Sequence, residues 1–127
     1  MTRTVSAMTA PATDADDGSD YTQLVTAVRA FSVARGWPPV QTPKNLAMAI
    51  CGEAGELAAE LQWLGSQESV LSVAQDPELR QRVAMEMADV LIYLTRLADV
   101  TEIDLMAAAQ HKLAINEARF PIPDDLS

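Results

Sequence analysis

The chain has 127 residues, 49% of them hydrophobic, with a formal net charge of −9 and one cysteine, Cys51. Its length suits a single domain with a modest core, and its apolar content excludes a disordered protein. The acidic balance argues against a nucleic-acid backbone or an anionic membrane as partner, and a lone cysteine allows no internal disulfide.

Residues 1–20 are rich in Thr, Ala, Asp and Ser and show no period, so they read as a disordered acidic tail. The opening MTRTVSAMTAPA lacks the continuous apolar stretch of a signal peptide, and no run in the chain is long and apolar enough to cross a bilayer. A cytoplasmic protein is expected. From Tyr21 to about Ala34, Leu24, Val28 and Phe31 recur at helical spacing, and Arg35-Gly36 marks the stop. Trp37-Pro38-Pro39-Val40-Gln41 reads as a rigid loop.

Thr42-Pro43 pairs an N-cap with a proline at the first helical position, opening a second helix that runs to about Leu64 and stops at Gly65. Residues 66–75 form a polar linker with room for a short helical turn. Asp76-Pro77 repeats the cap-plus-proline signal and starts a third helix, to about Asp99. Thr101 with Asp104 resembles a capping arrangement for a fourth, which continues to about Ala118 and ends before Phe120-Pro121-Ile122-Pro123. With no strand pattern, repeat or Gly-rich phosphate loop, the fold class is all-α, a four-helix bundle. The second and third helices are apolar nearly all round, which predicts that neighbouring chains cover the faces a monomer would leave wet.

Into this apolar background the second helix places Glu53 and Glu56, three apart on one face, and the third places Glu86 and Asp89 in the same way. A single E-x-x-E is ordinary on a solvated stripe. Here Glu86 and Asp89 lie among Val83, Met85, Met87 and Val90-Leu91-Ile92. Four carboxylates on a buried face repel one another and lose hydration, at several kcal/mol per charge, unless protonation or a cation compensates. Residues 21–123 hold 8 basic and 12 acidic residues, so one site of four carboxylates accounts for their whole excess. Antiparallel helices let the two pairs meet, and hard oxygen donors without His or Cys suit Mg²⁺, with Mn²⁺ as the alternative. A di-iron bundle would need Glu-x-x-His on two helices, and the one histidine, His111, cannot supply it. Gly52 and Gly55, costly inside a helix, would let another helix or a ligand come close. Glu60 either joins the acidic face or pairs with a basic residue.

PKNLAMAICGEAGELAAELQWL, then EMADVLIYLTRLA, then HKLAINEARFP, in that order, resemble the MazG-like all-α nucleoside triphosphate pyrophosphohydrolases, and within them the dCTP-hydrolysing branch. The likeness spans about Phe31 to Pro121, so residues 21–123 are expected to be one such domain, with 124–127 a short tail. The resemblance implies hydrolysis between the α and β phosphates of dCTP or a modified dCTP, giving a monophosphate and pyrophosphate. It implies Glu53, Glu56, Glu86 and Asp89 as catalytic metal ligands, one of which, Glu56 by preference, orients the attacking water. Lys112, Asn116 and Arg119, one stripe on the fourth helix, become phosphate and sugar contacts. Trp37, Gln41, Trp63 and Tyr93 become candidates for the base. Gln41 stands where this branch has a histidine, and Phe120 where it has a tyrosine. On antiparallel helices Trp63 and Tyr93 fall at opposite ends of the site, so a neighbouring chain must complete the pocket, in keeping with the branch's homotetramers; a dimer is the alternative. dUTP, another non-standard triphosphate or phosphoribosyl-ATP are other substrates the superfamily allows. A non-catalytic oligomerisation or regulatory module is the reading from a different class.

Overall fold

A computed structural model describes residues 19–126. Local hydrogen bonding sets most helix limits. Ser19 accepts from the Thr22 amide (3.2 Å) and opens α1, Asp20–Ala34. Thr42 accepts from the Asn45 amide (3.2 Å) at the start of α2, Pro43–Leu61. Asp76 accepts from Glu78 and Leu79 and opens α4, Pro77–Thr101, while Asp104 accepts from Ala107 and opens α5, Leu105–Arg119. Each such cap contributes about 1 kcal/mol.

α1 and α4 end alike. The Trp37 amide reaches back to the Ser32 carbonyl and Gly36 to Val33; Ile103 reaches Ala98 and Glu102 reaches Asp99. That closure needs a left-handed residue. Gly36 (φ 67°) adopts it freely, whereas Glu102 (φ 57°) holds it with a side chain.

Several expectations shift. Residues 66–75 are not a linker: Ser66–Gln75 is a helix, α3, with Gly65 as its N-cap, so α2 ends at Leu61 and the described chain has five α-helices. The sequence misled because α3 carries no side-chain cap and its composition is polar. Pro38–Val40 is a turn of 3₁₀ helix within the proline loop. Thr101 ends α4, donating to the Leu97 carbonyl (2.6 Å), and does not cap α5. Ser19 caps α1 and Asp20 begins it, and the rest of the expected tail lies outside the described residues. Asp124–Leu126 is a second 3₁₀ turn. The all-α class stands, with no strand among the described residues.

α4 is the hub, packed most extensively on α2 and less so on α1 and α3. The α2–α4 pair is antiparallel: Gln41, just ahead of α2, meets Arg96, whereas Glu60 near its end meets Arg82. Among the described residues only Leu46, Leu79, Val83 and Ala98 are buried apolar residues, and nineteen large apolar side chains are exposed. α5 buries no residue and leans only marginally on the other helices.

One polar knot crosses this thin core. Arg96, 6% exposed, donates from Nη1 to Asp99 (2.9 Å) and from Nε to Gln41 Oε1 (2.8 Å), while Arg29 Nε donates to Asp99 (2.9 Å). Hydrogen bonding from Arg29, and then the charges of both arginines, hold the Asp99 carboxyl below its usual range despite its burial. We expect Asp99→Asn to cost about 1–3 kcal/mol in denaturant unfolding near neutral pH, by leaving Arg96 buried without its counter-charge. A carboxyl with a depressed pKa contributes stability above its ordinary value of 3.8 and loses it as pH falls through the depressed one. The gap between wild type and variant should therefore close only in that acidic window.

Candidate functional site

Glu53 and Glu56 share one face of α2 because they are three apart, and Glu86 and Asp89 share one face of α4. The antiparallel pairing turns these faces together: one oxygen from each of Glu53, Glu86 and Asp89 lies within 4.8 Å of the others. Glu56 stands within hydrogen-bonding reach of both Glu53 and Glu86. Glu60, undecided in the sequence, pairs with Arg82 (2.9 Å).

Among the described residues, no cation acts on Glu53 or Glu86 to offset this charge. Burial first, then the charge and hydrogen bonding of Glu56, then Asp89 and Glu86 push the Glu53 carboxyl above its ordinary value. Glu86 is raised by burial, by Glu56, by Asp89 and by Glu60. Glu53 Oε2 and Glu86 Oε2 are buried without a hydrogen-bond partner, a costly state for carboxylate oxygens. Oxygens orphaned in this way, on an all-oxygen set drawn from two helices, fit a hard divalent ion.

One helical turn from the carboxylates, about 6 Å along the axes, lies a cavity of about 280 Å³ lined by Trp37, Val40, Gln41, Asn45, Leu46, Ala49 and Tyr93. Ala49 precedes Glu53 by four residues and Tyr93 follows Asp89 by four, so on antiparallel helices both lie toward the same end. Three of the four expected base-binding residues thus meet. The α1 closure and an edge-to-face contact with Phe31 (5.5 Å between ring centroids) hold Trp37. The fourth, Trp63, is 88% exposed, near the other end of the α2–α4 pair, and lines no described cavity with them.

Lys112, Asn116 and Arg119 lie on α5, and no cation of that helix acts on Glu53 or Glu86. Within one chain the donor stripe and the acidic cluster stay apart; the Arg119 guanidinium lies over the Phe120 ring (5.1 Å). Gly52 and Gly55 face open space, so none of the described residues uses the close approach they permit. Sequence reasoning missed Asn45 and Arg96. An arginine inside YLTRLAD, three before an aspartate, was the available signal for a buried charge.

Residues 41–121 match the MazG nucleotide pyrophosphohydrolase domain family. The chain is 38% identical over 92 residues to dCTP pyrophosphatase 1 of Rattus norvegicus, covering 72% of this chain and 54% of that protein. The identity to dCTP pyrophosphatase 1 of Homo sapiens is 38% over 91 residues, 72% of this chain and 53% of the relative. The chain therefore spans about half the length of the curated relatives it matches. A crystal structure of a pyrophosphatase from Archaeoglobus fulgidus superposes with a TM-score of 0.75 at 37% identity, covering 83% of this chain and 95% of that one.

The raised carboxyls make a prediction for the metal-free protein. An acid whose folded pKa is raised opposes folding when ionised, and that penalty disappears as pH falls from the raised value to the ordinary one, 4.5. Asp99, held low, keeps its ion pairs through this window. Metal-free thermal stability should rise as pH falls through the raised values toward 4.5, and Glu53→Gln with Glu86→Gln should flatten that rise. A scan in which the wild type loses stability across the window would contradict the buried cluster.

Proposed function

This chain belongs to the MazG nucleotide pyrophosphohydrolase family, and from that premise we propose that it hydrolyses a nucleoside triphosphate between the α and β phosphates with a divalent metal, Mg²⁺ or Mn²⁺. The substrate is dCTP or a modified dCTP, and the products are the monophosphate and pyrophosphate. The observation that carries this reading is the meeting of Glu53, Glu86 and Asp89 with two buried, unpartnered oxygens. The naming of the relatives as dCTP pyrophosphatase 1 supports the base.

Glu53, Glu86 and Asp89 are the metal-holding set. When bound, the ion screens the triphosphate's charge and lowers the pKa of a coordinated water. Glu56, exposed beside Glu53 and Glu86, orients the attacking water and takes its proton at its own carboxylate. Trp37 and Tyr93 provide apolar faces for the base, which lies one turn from the reacting phosphates.

The working unit is a homotetramer, with a dimer as the lesser assembly. Among the described residues, nineteen exposed large apolar side chains against four buried apolar residues leave one copy with too little core, and α5 packs only marginally on the other helices. In the assembly a neighbouring copy's α5 supplies Lys112, Asn116 and Arg119 to the phosphates and sugar. The exposed Trp63 likewise serves the base pocket of another copy.

Pyrophosphate release from a panel of nucleotides, with and without Mg²⁺, tests the reaction. dCTP or its modified forms should be cleaved only with metal, and Glu53→Ala or Glu86→Ala should lower kcat/KM by about a hundredfold or more. No release from any triphosphate, with wild type and Glu53→Ala alike, would leave a non-catalytic helical module. Subunit mixing tests the assembly. Glu86→Ala and Arg119→Ala chains, each impaired alone, should recover activity when refolded together, because some sites then draw intact parts from both. Recovery absent from a mixed oligomer confirmed by sedimentation would assign each site to one chain.

A further inference from the structure

Gln41 and Asn45 carry amides whose two ends differ in hydrogen-bonding sense, and both line the cavity beside Trp37 and Tyr93. A guanidinium only donates, so the Gln41 atom 2.8 Å from Arg96 Nε is its carbonyl oxygen. A backbone carbonyl only accepts, so the Asn45 atom 2.8 Å from the Val40 oxygen is its amide nitrogen. Partner chemistry assigns both orientations. What remains free is the Gln41 NH₂, a donor, and the Asn45 oxygen, an acceptor.

Arg96 is itself anchored, since Asp99 holds Nη1 at 2.9 Å and is held in turn by Arg29. Turning the Gln41 amide over would set two donors face to face and strand a buried N–H, which is strongly disfavoured. The lock bears on base choice. Every pairing edge offers a neighbouring donor and acceptor, but amino bases such as cytosine carry them in the opposite order to oxo bases such as uracil. Two freely turning amides would serve either order, whereas two fixed ones accept one and oppose the other.

We propose that Arg96 is a positioning residue for base selection: by engaging the Gln41 carbonyl, it makes the pocket present one donor from Gln41 and one acceptor from Asn45, matched to an amino-pyrimidine. This rests on the nucleotide reading above. The cytosine N3 accepts from the Gln41 NH₂, and its 4-amino group donates to the Asn45 oxygen.

Calorimetric binding of dCMP and dUMP needs neither metal nor turnover and so stands apart from the test of the reaction. Wild type should favour dCMP by about tenfold or more. Gln41→Glu keeps an acceptor for Arg96 but turns the free donor into an acceptor, so the preference should move at least about tenfold toward dUMP, whose N3–H now finds a partner. Arg96→Lys keeps a charge for Asp99 but frees Gln41, so the dCMP:dUMP ratio should fall toward one. In turnover with dCTP the loss should appear in KM more than in kcat. Arg96→Lys lowering Tm with an unchanged ratio would reduce Arg96 to a structural part. Gln41→Glu leaving the ratio within about threefold, or wild type binding neither nucleotide, would overturn the proposal. Binding that responds as expected without any pyrophosphate release would sink the reaction and leave the pocket inference standing.

Discussion

The antiparallel register of α2 against α4 is the constraint on which the rest of this molecule depends. Each helix alone carries two acidic residues on an otherwise ordinary face. Register makes them a cluster, and the pairs at its two ends, Gln41 with Arg96 and Glu60 with Arg82, mark it. A slip of one turn would move the carboxylates about 6 Å apart along the axes and open the cavity beside them. The cluster works against the register, because partial burial and neighbouring like charges raise Glu53 and Glu86 and leave two oxygens unpartnered. Apolar packing around Leu46, Leu79 and Val83 and the Arg96–Asp99 knot must therefore outweigh that repulsion until a cation relieves it.

A chain with so few buried apolar residues shows the same tension on a larger scale. α4 is covered on several sides, yet Met85, Met87 and Leu91 along it remain open, as do Met48 on α2 and Leu113 on α5. Such surfaces would be covered in the assembly of copies proposed above. The two glycines of α2, set in open space, fit a neighbour that comes close from outside the chain. Gathering phosphate donors and a stacking tryptophan from other copies would couple assembly to activity.

Within the proposed site, two kinds of chemistry sit a turn apart and use opposite means. The acidic cluster is unsatisfied and waits for charge. The neighbouring pocket is satisfied on its outer side, where Arg96 and the Val40 carbonyl each occupy one end of an amide, and so offers the other end in a defined sense. Strain at the first suits catalysis, and rigidity at the second suits discrimination.

Reading the residues alone recovers whatever is encoded within a turn or two of backbone. The caps at Thr42 and Asp76, the stop at Gly36 and the i,i+3 spacing of the carboxylates all concern partners three to five residues away, where covalent geometry leaves little choice. Even there it failed for α3, whose start has no side-chain cap to read. Helix packing, by contrast, gave Glu60 to Arg82 and left Trp63 outside the cavity that gathers Trp37, Gln41 and Tyr93. It also separated α5 from the acidic cluster and set Arg96 against a glutamine 55 residues away. Those outcomes depend on how one helix is rotated and slid against another, a choice made by packing over the whole interface and written in no single segment.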